Sequence, residues 1–287
     1  MMTTRGETPT AHTPSPLAEH SRRVGLFGRL ALAVRAVAVL AVLWAGPALA
    51  ADPAPRFADA RPGEVRIFVT NALMSLFKEL EPAIESATGR SVLIQYGGSY
   101  ELPQFLASGE PFELAVVTGA AIDRGVGAGQ IVPGSRVDIA KVAIEIGVKG
   151  RGPAQAPDSP ERLRTLFTEA SVFRRSISGM SYPIVEAMLQ DLRVADAVKD
   201  KTVSGGDEEI NPRIRPGSYG LIVTTASEMY LYPGVTILGT VPARYGGPVP
   251  LSAGLGPRGD AVAARAVIDF LRSPAIDSQL REHRLLR

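Results

Sequence analysis

Cysteine is missing altogether from this chain of 287 residues, and histidine occurs only three times. Without cysteine there are no disulfides, thiolate metal sites or cysteine nucleophiles, and no lipid-modified cysteine to anchor an exported protein. His12 and His20 stand near the N-terminus, which leaves His283 for the rest of the chain. A Ser-His-Asp site or a histidine-based metal centre would depend on that single residue, so neither is expected, nor is any cofactor. An excess of charge is missing as well. Lysine and arginine number 31 against 29 aspartates and glutamates, but five of the arginines and two of the glutamates lie in the first 50 residues. The remainder has a net charge of about −1, and no basic footprint for nucleic acid is expected. Beyond residue 50 no apolar run approaches the roughly 20 residues needed to cross a bilayer.

What is present begins with an abrupt change of composition. Arg22, Arg23, Arg29 and Arg35 precede the apolar run Ala36 to Ala45, and Gly46-Pro47 then leads to Ala48-Leu49-Ala50. A basic region, a short apolar stretch and small residues at alternate positions make a secretory signal peptide over residues 1–50. Cleavage is expected after Ala50, with the mature protein free in the periplasm. Ser21-Arg22-Arg23 leaves a twin-arginine route open beside the general one.

Residues 51–63, rich in proline and alanine, read as a flexible lead-in. Strand-like runs then alternate with helical ones. Val65–Thr70 is a short β-type run, followed by apolar residues at helical spacing, Leu73, Leu76, Phe77, Leu80 and Ile84, up to Gly89. Pro82 is expected to kink that helix. Residues 91–96 and 113–118 are further strands, with helices at 101–107 and 120–128. A long strand is expected over Ile139–Val148, and a second set of helices and strands follows to the C-terminus. Such alternation argues for an α/β fold with parallel, helix-covered sheets, and ligands of such sheets bind at the carboxyl ends of strands. The elements fall into two halves of similar size joined by long strand-like segments, and a ligand cleft is expected between two such lobes.

Four stretches carry a resemblance. These are Tyr96-Gly97-Gly98-Ser99, the loop Ile131 to Ala140, the segment Ala226 to Gly239 with its Ser227-Glu228 and Pro233-Gly234, and Ile268 to Pro274. In consistent order they resemble the molybdate-binding-protein-like family of periplasmic solute receptors. The resemblance implies a two-lobed type II periplasmic binding protein fold whose C-terminal helices return to the first lobe, with lobe 1 at residues 64–140 and 249–287, lobe 2 at residues 141–248, and the ligand cleft between them. It also implies a small anionic ligand, a monomer, and delivery of that ligand to the membrane permease of an ABC transporter.

Oxyanions can be held by helix N-termini and hydroxyls without a positive side chain. Three strand-to-helix junctions suit that chemistry. In the first, Asn71 and the amide of Ala72 are candidates, although the family usually places a serine at Ala72. The second offers Ser99 behind two glycines that permit close backbone approach. The third offers Ser181, preceded by Arg174 and Arg175 where relatives carry small or acidic residues. A guanidinium can grip a carboxylate with two parallel hydrogen bonds. Thr224 stands near the place of a tyrosine donor used by some molybdate binders. Each has a plainer reading: Thr70, Asn71 and Ser99 as helix caps, and the arginines as a solvated pair at a strand end. Because the oxyanion pattern is only partly kept, the expected ligand is a molybdate-like oxyanion or a small carboxylate. An isomerase of a tricarboxylate, similar to aconitate isomerase, is the alternative from a different class, and a signalling receptor without a small ligand is a third.

Overall fold

The computed structural model describes residues 56–287. The signal peptide expected over residues 1–50 and the first part of the lead-in lie outside the described residues. From Arg56 onward the lead-in makes contacts with the rest of the chain. The backbone N–H groups of Arg56 and Phe57 donate to the Glu110 carboxylate at 2.9 and 2.6 Å, and Phe57 packs edge-on against Phe105 at 5.7 Å. These contacts bury one aromatic ring and pair two backbone amides.

The chain builds two sheets in turn. β1 (Val65–Thr70), β2 (Val92–Gly97), β3 (Leu114–Thr118) and β4 (Val137–Val142) open the first. β5 (Ile144–Gly150), β6 (Val172–Arg175), β7 (Thr202–Val203), β8 (Tyr219–Thr225) and β9 (Val235–Thr240) make the second. β10 (Val249–Leu255) and β11 (Leu285–Leu286) return to the first. The strand orders are β11-β4-β10-β3-β1-β2 in the six-stranded sheet and β7-β6-β8-β5-β9 in the five-stranded one.

Neither sheet is wholly parallel, as the alternation of strands and helices had implied. β1 runs parallel to β2 and β3, and β6 parallel to β7 and β8. The strands that receive the chain from the other sheet, β5 and β10, are antiparallel to both neighbours. The single strand expected over 139–148 is two. It breaks at Ala143, whose carbonyl accepts from Ala226 N at 2.8 Å, and its halves belong to different sheets. A β-type run can be continuous in sequence while its two halves find different partners, because hydrogen bonding to neighbours defines a strand.

Alternation along each strand assigns its faces. Val65, Ile67 and Val69 of β1 face the helix Met74–Thr88 and the C-terminal helix Ala261–Arg272, which bury Leu76, Phe77, Leu80, Ile84, Val267 and Leu271. Phe68 points the other way and stacks on Phe105 at 4.9 Å. The helix Met74–Thr88 continues through exposed Pro82 and stops at Gly89, whose φ of 66° is the left-handed cap glycine allows. Asp260 caps the C-terminal helix, accepting from Val262 N and Ala263 N. In the second sheet Phe173, Leu221 and Val223 face the helices Pro160–Glu169 and Tyr182–Asp191, while Val172 and Ile222 face Met229 and Tyr232. Among the described residues no helix is long and apolar enough to cross a membrane.

Candidate ligand cleft

The parallel strands of the two sheets end at a common seam. β1 ends at Thr70, in register with Gly97 at the end of β2. β6 ends at Arg175, in register with Val223 of β8, which ends two residues later at Thr225. β1 and β8 give way at once to a tight turn, and β6 leads through residues 176–181 to a helix. Asn71–Leu73 forms a 3-10 turn after β1, Ala226–Leu231 another after β8, and Ser181 stands immediately before the helix Tyr182–Asp191. Short connections of this kind bring helix starts and free backbone N–H groups to one edge.

The turns from the two sheets touch. Tyr100 N donates to the Ser178 carbonyl at 3.4 Å, and the Tyr100 and Tyr182 rings meet edge to face at 6.2 Å. Gly98 lies against the same carbonyl, where a side-chain carbon would come within 2.8 Å of it. Ala72, Met180 and Ala226 join one apolar cluster. Three of the residues singled out in the sequence therefore come together: Ala72, Ser99 and Ser181, all buried, with Asn71 exposed beside them. Ser99 does not cap a helix as the plainer reading had it. Its hydroxyl lies 3.3 Å from that of Thr70, and neither Thr70 nor Ser181 makes a side-chain capping bond.

The other candidates are placed differently. Thr224 is fully buried and donates to Glu228 Oε2 at 2.9 Å, alongside Thr225 at 2.6 Å. The only proton of that hydroxyl goes to a carboxylate in this structure. Arg175 is not a solvated strand-end residue either. It pairs with Glu186 of the following helix and lies over the Tyr182 ring at 5.3 Å, so its charge is already matched. Arg174 faces the opposite side of β6, with its guanidinium 4.9 Å from the centre of the Tyr232 ring. Its Nε and Nη1 are buried without a hydrogen-bond partner. Burial pushes the Tyr232 phenol up to about 12, against the pull of the Arg174 charge.

Glu186, Tyr232 and Glu228 were not among the candidate site residues read from the sequence. The spacing Thr224-Thr225-x-x-Glu228 was the available signal, since it puts a carboxylate one turn beyond two hydroxyls. Glu186 carried none, being eleven positions from Arg175. Among the described residues no group of three or more His, Asp or Glu side chains could hold a metal ion. A cavity of about 450 Å³ between residues 153–157 and the helix Pro160–Glu169 includes none of the candidate residues.

Comparisons with known proteins agree with this architecture. The molybdate-binding periplasmic protein of Azotobacter vinelandii superposes with a TM-score of 0.59 at 15% identity, over 78% of this chain and 99% of that one. A phosphate-bound structure of a putative phosphate ABC transporter substrate-binding protein from Clostridium perfringens gives 0.56 at 13%, over 78% and 99%. An aconitate isomerase from a Pseudomonas species is 24% identical over 238 residues, 79% of this chain and 86% of that protein. These likenesses show the two-lobed fold. A family model for bacterial extracellular solute-binding proteins matches residues 65–283, nearly the whole described chain, and to that family the chain belongs.

Proposed function

We propose that this protein is the exported receptor of an ABC-type transporter and holds a small anion in the seam between its lobes. The observation that carries the reading is the meeting of three junctions from two sheets: Asn71–Ala72, Gly98–Ser99 and Ser178–Ser181. Backbone N–H groups at strand-to-helix junctions, with a serine hydroxyl among them, bind anions without needing a full positive charge. The fold supports a receptor for the same reason. Lobe 1 (64–140 and 249–287) and lobe 2 (141–248) are joined by short crossings, so a ligand that touches both would stabilise the closed arrangement. A membrane permease would read that closure, and the receptor would act as a periplasmic monomer.

Thermal unfolding of the chain from Ala51 against molybdate, tungstate, sulfate, phosphate, citrate and both aconitate isomers tests the reading. A ligand at a thousand times its Kd stabilises by about 4 kcal/mol, or about 8–16 °C for a chain of this size. Ser99→Ala is expected to cost about 1–3 kcal/mol of affinity for whichever anion gives the shift, since a buried partner is left unpaired. Unchanged affinity in a calorimetric titration of that variant would remove Ser99 from the site. A tricarboxylate isomerase is the second reading, and the Pseudomonas relative is what favours it. Interconversion of the aconitate isomers, followed by absorbance on the same samples, decides it.

A further inference from the structure

An arginine that is partly buried in a protein ordinarily meets a carboxylate, because burying an unpaired charge is costly. Arg174 does not. Among the described residues it makes neither a hydrogen bond nor an ion pair, and two of its three nitrogens, Nε and Nη1, are buried without a partner. Three nearby carboxylates act on Tyr232, and none makes a hydrogen bond or ion pair with Arg174: Glu208 Oε1 accepts from Gly206 N, and Asp207 keeps one buried oxygen, Oδ1, without a partner among the described residues. Asp207 Oδ2 accepts from Lys149 Nζ at 2.5 Å, and Glu228 Oε2 takes the hydroxyl protons of Thr224 and Thr225. Its neighbour Arg175, by contrast, has Glu186.

We infer that Arg174 selects the ligand, and that the group it selects is a carboxylate. The inference rests on the reading of the seam as an anion site and narrows it. Arg174 is the penultimate residue of β6, at the strand's seam end. Tyr232, which it faces, directly follows the turn Ala226–Leu231 that packs against Asn71–Leu73 of the other lobe. A guanidinium held over an aromatic face keeps its N–H groups in one plane, which matches the two oxygens of a planar carboxylate.

The hydroxyl donors that a tetrahedral oxyanion would draw on are depleted at the same seam. Ala72 has none, Thr224 and Thr225 donate to Glu228, and Ser227 donates to Thr225 Oγ1 at 3.3 Å. Thr70 and Ser99 have each other within 3.3 Å, which leaves one proton between them, and among the described residues Ser181 keeps its hydroxyl free. One strong planar cation with few free hydroxyls favours a carboxylate over a compact oxyanion.

The test is calorimetric titration of the chain from Ala51 with citrate, tricarballylate and succinate, and with molybdate, sulfate and phosphate. Wild type is compared with Arg174→Lys, Arg174→Gln and Arg175→Gln, each checked for folding by its melting transition. Carboxylates are expected to bind wild type. Arg174→Lys should weaken them at least tenfold and Arg174→Gln about a hundredfold, the range for a lost charged hydrogen-bonded pair. Arg175→Gln should change affinity less than threefold while lowering the melting temperature. Binding of tetrahedral oxyanions alone by wild type overturns the inference without any variant, and leaves the receptor reading standing. So does carboxylate binding that Arg174→Lys and Arg174→Gln leave unchanged, as it would be if Arg174 only meets Asp207 Oδ1 through water. If wild type binds no anion of the panel, both readings fall.

Discussion

Gly98→Val is expected to weaken anion binding about a hundredfold while the ligand-free protein melts within about 2 °C of wild type. Gly98 has no special backbone conformation to protect, since its φ is not in the left-handed region. What it lacks is room. A Cβ there would stand 2.8 Å from the Ser178 carbonyl oxygen and 3.2 Å from Ser178 Oγ, both on the opposite lobe, and a carbonyl cannot swing aside as a side-chain tip can. Each sheet has its own apolar core, so propping the seam open should leave both lobes folded. If the branched side chain reduces the closed population to about 1%, the apparent Kd rises about a hundredfold. Gly98→Ala, with less bulk beyond the Cβ, should fall between. Calorimetry with the anion identified by the panel measures the first effect and a melting curve the second. Full affinity in Gly98→Val would mean that ligand capture does not require these turns to meet.

The second large effect concerns stability alone. Glu113→Gln should cost about 3–5 kcal/mol, the loss incurred when one partner of a buried ion pair is removed. Glu113, just ahead of β3, is 4% exposed and accepts four hydrogen bonds. Arg66 supplies three, from Nε at 3.0 Å, Nη2 at 2.7 Å and its backbone N at 2.7 Å, and Asp260 N completes the set at 3.4 Å. The glutamine amide has the right shape, but it would turn an NH2 group toward a guanidinium and leave one donor unmatched. Burial by itself would raise the Glu113 carboxyl. The hydrogen bonds and charge of Arg66 outweigh burial and hold it below its ordinary 4.5. A carboxyl lowered by folding adds stability that is complete above its unfolded pKa and disappears as pH falls through the folded one. The gap between wild type and Glu113→Gln should therefore be full at pH 7 and shrink below about 4.5, when urea unfolding is followed at both pH values. A gap of the same size at pH 3 would place its origin in packing instead of charge.

Some of this molecule was written locally. The strand Val65–Thr70, the helix through Leu76, Phe77, Leu80 and Ile84, and its stop at Gly89 follow from periodicity and cap chemistry, which need only neighbouring residues. So did the junctions at Asn71, Ser99 and Ser181, since each lies between a strand and the helix or turn that follows it. Other features depended on partners far away in the chain. Nothing in Ile139–Val148 marks Ala143 as the crossing, because the break is made by Ala226 and by the different neighbours of β4 and β5. Proline and alanine before residue 63 read as slack, and the partners of Arg56 and Phe57, among them Tyr96, Glu101, Phe105 and Glu110, stand some forty to fifty residues on.

The two adjacent arginines show the division most plainly. By itself the sequence determined that two cations stand at the end of β6, and that strand alternation must send them to opposite faces. Only the tertiary structure decided that Arg175 meets Glu186 on the helix that follows, and that Arg174 meets an aromatic ring and no carboxylate. The reason is physical: periodicity specifies the direction of a side chain from its own backbone, whereas pairing depends on which atoms folding brings to the other end.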